Sequence, residues 1–198
     1  MAAMVVLLLL GLLQLAVPGL AQSPPPGTVT MESFTYSGSG CPPGSFLGAV
    51  SSDGMTFTGL LNNHTAFTPG SPDDQVKKCQ VAVRLTYPTG FVFALETVTF
   101  QGYAQFQEGV QCSLEAGSFF SGIPGTVRTL RYLPPPVDDN FQFTDAFATF
   151  LYAPCGSDSM TLNVYSEVRV VPPPPPRNFS SGFIDIASQD FHLRWKTC

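Results

Sequence analysis

The sequence predicts an all-β fold, an antiparallel β-sandwich or jelly-roll-like arrangement stabilised by disulfides, with almost no helix. Three observations carry that expectation. Several stretches alternate apolar and polar residues with a period of two, the signature of a half-buried strand. Beyond the N-terminal segment, no run of a dozen residues shows a helical period. The chain is also punctuated by turn formers, with 18 glycines and 19 prolines, 37 of the 198 residues. Short strands at regular spacing, separated by Gly/Pro/Asp turns, read as a sandwich or, as the structural alternative, a barrel. Charged residues make up only 12% of the chain while hydrophobic types reach 44%, including 17 Phe, so the chain has the means to bury a core. A net charge of −5 and scattered basic residues speak against a nucleic-acid partner, which requires a basic patch to release counterions.

The first element is not part of the fold. Val5 to Val17 form an apolar stretch and Gly19-Leu20-Ala21 supplies small residues before Gln22-Ser23. This is the pattern of a signal peptide over residues 1–21, and the stretch is too short to span a bilayer. The expected location is therefore secreted and extracellular, with no membrane span in the mature chain. Five cysteines, Cys41, Cys79, Cys112, Cys155 and Cys198, suit that oxidising compartment. They are widely spaced, so each bridge would close a long loop and add roughly 3–4 kcal/mol in the chain-entropy model. Four cysteines permit three pairings, and spacing does not choose among them. Two sequons, at Asn63 and Asn178, are candidate glycosylation sites.

Residues 22–40 form an N-terminal segment with a candidate edge strand over Val29 to Tyr36, and residues 41–198 are expected to form one β-sandwich domain. Cys79, Val81, Val83, Leu85 and Tyr87 alternate with Gln80, Ala82, Arg84 and Thr86. Pro88-Thr89-Gly90 turns the chain, and Phe91, Phe93 and Leu95 resume the pattern. The apolar set then changes parity to Val98, Phe100, Ala104 and Phe106. A one-residue slip turns the core face outward unless an extra residue absorbs it, so a bulge or bend is expected near Glu96–Thr97. Asp138-Asp139, next to a triple proline, reads as an exposed loop. Phe141, Phe143, Phe147 and Leu151 share the parity of Asp145; Thr144-Asp145 reads as a turn between short strands, with an acid on an apolar face as the alternative. Met160, Leu162, Val164, Val168 and Val170 face one way, and Asn163, Tyr165, Glu167 and Arg169 the other. Pro172 to Pro176 cannot join a ladder and reads as a stiff connection inside the domain, or less favourably as a docking site. Phe191, Leu193 and Trp195 alternate with His192, Arg194 and Lys196, and the residues after the prolines read as one more strand pair.

Six segments in order, Gly38-Ser-Gly-Cys-Pro-Pro-Gly44, Lys78-Cys79-Gln80, Tyr87-Pro-Thr-Gly90, Gln101-Gly-Tyr103, Ala153-Pro-Cys-Gly156 and Leu193-Arg-Trp-Lys-Thr-Cys198, resemble the small secreted proteins of the "domain of unknown function 4360" family. The resemblance spans residues 37–198. It implies a secreted, disulfide-bearing β-domain in which Cys41, Cys79, Cys155 and Cys198 form the disulfides, and it implies no activity. Cys112 has no counterpart in the family pattern and is the candidate odd thiol.

No constellation for catalysis, cofactor or metal emerges. The histidines are His64, inside a sequon, and His192, on a polar strand face, and no nucleophile elbow exists. Glu96, Glu108, Asp145 and Glu167 do not form a recognisable pair for glycoside hydrolysis. The acidic positions Asp53, Asp73-Asp74 and Asp138-Asp139 lack the alternating pattern of a calcium loop. Exposed tyrosines are the better chemistry: Tyr103, Tyr132, Tyr152 and above all Tyr165, the favoured ligand contact, can stack on sugars or protein partners. The expected function is thus a non-enzymatic binding protein at a cell wall, matrix or foreign surface, its partner a polysaccharide or an extracellular protein. A secreted carbohydrate-active hydrolase is the second reading. A proteinase inhibitor or effector inserting the segment Asn62–Asp74 is the third.

Overall fold

In the computed structural model, residues 23–133, 135, 137–175 and 179–198 are described; the signal-peptide reading of residues 1–21 and the sequon residue Asn178 lie outside them. Among the described residues, eleven strands and one short helix follow in order: β1 (Thr30–Ser37), β2 (Phe46–Val50), β3 (Thr56–Leu61), β4 (Thr65–Thr68), α1 (Pro72–Gln75), β5 (Val76–Thr86), β6 (Phe91–Phe106), β7 (Gln111–Phe120), β8 (Val127–Leu133), β9 (Val137–Ala146), β10 (Ser159–Val171) and β11 (Gly182–Thr197). A first sheet has the order β1-β5-β10-β7-β8; a second has β2-β3-β11-β6-β9, with β4 also paired to β11. All pairs are antiparallel. The expected fold class is what is found; β1 stands at one end of the first sheet.

Alternation places the core as anticipated. Cys79, Val81, Val83, Leu85 and Tyr87 are buried between the sheets, as are Leu162, Val164, Val168 and Val170. Tyr87, Phe93, Phe120 and Trp195 form an aromatic cluster with centroids 5.0–5.4 Å apart, and the Trp195 indole donates to the Gly54 carbonyl at 2.9 Å. The parity change in β6 is resolved by a bulge: Thr97 pairs with His192 and Leu95 with Leu193, leaving Glu96 as the extra residue. Phe93 and Leu95 before it, and Val98 and Phe100 after it, all stay in the core. A second bulge, at Ala187 in β11, does the same for Ile186 and Phe191.

Disulfides join Cys41 to Cys79 and Cys155 to Cys198, with Cα separations of 5.3 and 5.7 Å. The first ties the segment before β2 to β5, and the second ties the segment before β10 to the C-terminus. Cys112 is free and buried, and burial pushes its thiol up to about 12. Pro173 packs beside Gly109 just after β10, while Pro176 of the proline run lies outside the described residues.

Four expectations require correction. The residues after the prolines form the single long strand β11, not a strand pair, because a bulge at Ala187 lets it run the length of β6 without a turn. Thr144-Asp145 is not a turn: both residues lie within β9, and Asp145 sits on its inward face, paired with Arg131 of β8. The apolar parity of Phe141, Phe143 and Asp145 was genuine, and a neighbouring cation satisfies the acid. Asp138-Asp139 likewise belongs to β9 rather than a loop. The segment Asn62–Asp74 is not a free protruding loop, because β4 pairs with β11, His64 is wholly buried, and Ser71 and Asp74 form a capping box on α1.

Candidate functional site

Outward-facing residues of the first sheet build a shallow groove, and strand register determines which of them meet. Tyr165 on β10 lies opposite Gln80 on β5 and Gly117 on β7. One step along, Glu167 lies between Lys78 and Glu115, and Glu115 in turn opposes Leu130 on β8. A further step places Arg169 beside Ser113, which opposes Tyr132. Two hollows follow these rows, one of about 390 Å³ that includes Ser37, Lys78, Gln80 and Tyr165, and one of about 280 Å³ that includes Gln111, Leu130, Tyr132, Arg169 and Val171. Both are lined by Glu115 and Glu167, so they form one groove with two carboxylates at its middle.

Tyr165, the favoured contact from the sequence, lies flat on the sheet. A Cβ built at Gly117 would come within 2.4 Å of its ring, so only glycine leaves room for that pose. Its hydroxyl points toward Glu115 at 3.4 Å. Burial, then the Glu115 charge, raises the phenol above its ordinary range. Tyr132 is 72% exposed at the far end, with Leu130 beside it at 47%. Four residues of rise and two strand spacings put the two tyrosines about 16 Å apart.

Like charges directly opposite each other on adjacent strands repel. At Glu167 that repulsion is compensated: Lys78 donates to its carboxylate at 2.9 Å and Arg169 at 2.7 Å. Burial alone would raise the Glu167 carboxyl, but these hydrogen bonds outweigh it and hold the group below its usual range. The groove is thus preorganised, with its charged side chains already held.

The remaining sequence candidates are elsewhere. Tyr103 lies on the outer face of the second sheet, donating to Asp138. Tyr152 lies under the Lys196 ammonium, 3.8 Å from the ring centroid. His64 is fully buried beneath the groove, its Nδ1 3.1 Å from the Gly40 carbonyl and its Nε2 3.5 Å from the Ser166 hydroxyl. Burial lowers it to about 4, so it is neutral at pH 7. His192 meets the Thr56 hydroxyl at 3.1 Å. Asp53 closes a turn by accepting from Ser51 and Met55. Asn63 is exposed in the β3–β4 turn. Sequence reasoning passed over Glu115 and Gly117. Glu115 had no marked neighbour in the chain, because its partners come from β10 and β8.

Residues 27–198 match the family described as domain of unknown function (DUF4360), and the chain belongs to it. A protein of Arthroderma benhamiae, described as an uncharacterized secreted protein, is 29% identical over 189 residues, covering 91% of this chain and 76% of that protein. Secretion, expected from the N-terminal residues, agrees with this relative, and among the described residues no helix is long and apolar enough to cross a membrane. Among solved structures the chain is similar to TmCBM61 in complex with β-1,4-galactotriose, with a TM-score of 0.30 and 12% identity over 82% of this chain and 90% of that one. It is also similar to a family 11 carbohydrate-binding module from Clostridium thermocellum, with a TM-score of 0.25 and 10% identity over 82% of this chain and 94% of that one. Likenesses this distant carry no functional argument.

Proposed function

We propose that the protein is an extracellular glycan-binding protein that lays an extended sugar chain along the groove between Tyr165 and Tyr132. In this reading residues 1–21 are removed as a signal peptide, residues 41–198 form a single binding domain, and exposed Asn63 is a glycan acceptor outside the groove. The observation that carries the reading is the Tyr165 ring, held flat on Gly117 beside the Glu115–Glu167 pair. A flat aromatic face takes the C–H surface of a sugar, while carboxylate, amide and guanidinium groups around it meet the hydroxyls. Side chains already locked by hydrogen bonds lose little further freedom on binding. A spacing of about 16 Å between the tyrosines suits an oligomer rather than a single sugar.

The test is a screen of purified protein against neutral and charged oligosaccharides, followed by isothermal titration. Tyr165→Ala and Tyr132→Ala are each expected to weaken binding at least tenfold. Unchanged affinity in both variants refutes the groove as the site.

One observation favours a second reading, that of a glycoside hydrolase. Glu115 and Glu167 face each other directly in the groove, and opposed residues place their Cβ atoms about 5 Å apart. Retaining hydrolases use carboxyl groups roughly 5–5.5 Å apart. Release of reducing ends from a bound oligosaccharide, abolished by Glu115→Gln with binding intact, would establish hydrolysis; binding without cleavage would leave the protein as a binder.

A further inference from the structure

We propose that the outer face of the second sheet is a second glycan site, so that the protein is bivalent and bridges two sugar chains. The outward rows there differ in kind from those of the first sheet. Thr65, Asp185, Tyr103 and Asn140 lie side by side across β4, β11, β6 and β9. The neighbouring row places Phe67, Phe183, Gln105 and Asp138 across the same four strands. Tyr103 and Phe183 touch, with centroids 5.6 Å apart, and form an aromatic ridge.

Hollows flank the ridge. One of about 500 Å³ is lined by Gln101, Asn140, Gln142, Asp185 and the bulged Ala187. On the other side, hollows of about 380 and 470 Å³ share Gln105 and Ser181. The polar groups are held in place before any ligand arrives. Thr65 donates to Asp185, Tyr103 to Asp138, and Gln105 to Asp138 at 3.3 Å. Gln101 and Thr58 donate to Asp190 at 3.3 and 2.7 Å.

Charge excludes one class of occupant. Lys77, Lys78, Arg84, Arg128 and Arg169 belong to the first sheet, Arg131 lies between the sheets, and Arg194 and Lys196 sit at the far end of β11. Among the described residues none of these lines the ridge or its hollows, which carry Asp138 and Asp185 instead. Polyanions and acidic lipid surfaces are repelled by such a lining. Amide and carboxylate groups in rows beside an aromatic ridge match the vicinal hydroxyls and C–H faces of a neutral glycan. Because the two grooves are the outer faces of opposed sheets, one chain bound to each cannot be the same short oligomer.

The experiment uses the full secreted chain with fluorescent neutral hexasaccharides of glucose, mannose, galactose and N-acetylglucosamine, and with heparin as the polyanion. Wild-type protein is expected to bind two molecules of a preferred hexasaccharide per chain and to bring the matching soluble polysaccharide down with an insoluble one. Tyr132→Ala/Tyr165→Ala leaves one site; Tyr103→Ala/Phe183→Ala leaves the other and ends the bridging. Tyr103→Phe, which keeps the ring, holds affinity within about threefold, and thermal melts confirm folding of each variant. Loss of all binding in Tyr132→Ala/Tyr165→Ala alone overturns the second site and leaves the first standing. Preference for heparin on the Tyr103 face overturns it too. Absence of any glycan binding in wild type overturns both.

Discussion

Arg131 of β8 binds Asp145 of β9 through two charge-assisted hydrogen bonds, Nε to Oδ2 at 2.9 Å and Nη2 to Oδ1 at 2.6 Å. The two strands are the edges of different sheets, so this pair closes one open side of the sandwich. The guanidinium also covers the Phe143 ring at 4.8 Å, and Phe143 stacks on Phe141 with centroids 5.0 Å apart. Asp145 raises the Arg131 pKa further above its already high value, keeping the cation in place. With the Asp145 side chain only 15% exposed and Arg131 33%, the pair lies between surface and buried regimes. Arg131→Ala is expected to lower stability by about 1–3 kcal/mol in urea denaturation, because it strands a carboxylate and uncovers an aromatic ring. Arg131→Ala/Asp145→Ala should cost less than the single change. Equal costs would dismiss the pair as a structural clasp.

His64 makes stability fall in mild acid. Its folded pKa is depressed to about 4 by burial, against 6.5 when exposed, so the unfolded chain takes up the proton first. Its contribution is complete above pH 6.5 and is lost as pH falls through that value toward 4. The loss approaches about 3 kcal/mol at the lower limit. Denaturation midpoints at pH 7, 5.5 and 4 should show this slope, and His64→Gln should flatten it. Acid loss from Glu167, whose carboxyl is held low, begins as pH falls through the ordinary carboxylate value of the unfolded chain and continues below it, so the slope between pH 7 and 5.5 reports His64.

Gly117→Ala tests the groove without removing a polar group. The added methyl must displace the Tyr165 ring, which it would meet at 2.4 Å. Affinity for a groove ligand should fall about as far as in Tyr165→Ala, at least tenfold, with the fold retained. Gly40→Ala is the contrasting case. There a Cβ would lie 2.0 Å from His64 Nδ1, an immobile core ring, so the expected outcome is a large loss of thermal stability.

Cys112 should be silent in the native state. A buried thiol whose pKa is pushed up to about 12 offers almost no thiolate at pH 8. Iodoacetamide is expected to leave the folded protein unmodified and to add one carbamidomethyl group per chain once urea unfolds it under non-reducing conditions. Labelling of the folded form at the rate of free cysteine would contradict the placement.

Gln189 offers a stabilising change. Its side chain is buried on the inward face of β11, and Nε2 has no hydrogen-bond partner among the described residues. Replacing it with Met, similar in length and apolar, should raise stability by about 1 kcal/mol by removing an unsatisfied donor. A lower melting temperature for Gln189→Met would mean that the amide is satisfied in solution.

The sequence by itself determined the β class and, in its regularly alternating stretches, which residues face the core. Burial acts on single strands with a strict period of two, so alternation over 79–87 and 160–170 displayed the inward faces directly, and the parity change after Leu95 located the Glu96 bulge. Composition and cysteine content likewise carried the oxidising compartment. Partners across strands were a different matter. Thr144-Asp145 resembles a turn locally, and only Arg131, brought from the edge of the other sheet, explains an acid on an inward face. The groove was half legible: Tyr165 stood out on a polar strand face, whereas Gly117 beneath it and Glu115 beside it acquire meaning only from the β7–β10 register. Tertiary structure decided the disulfide pairing, the burial of His64 and the meeting of Glu115 with Glu167, because those depend on distances between strands far apart in the chain. Local periodicity carries no information about such distances.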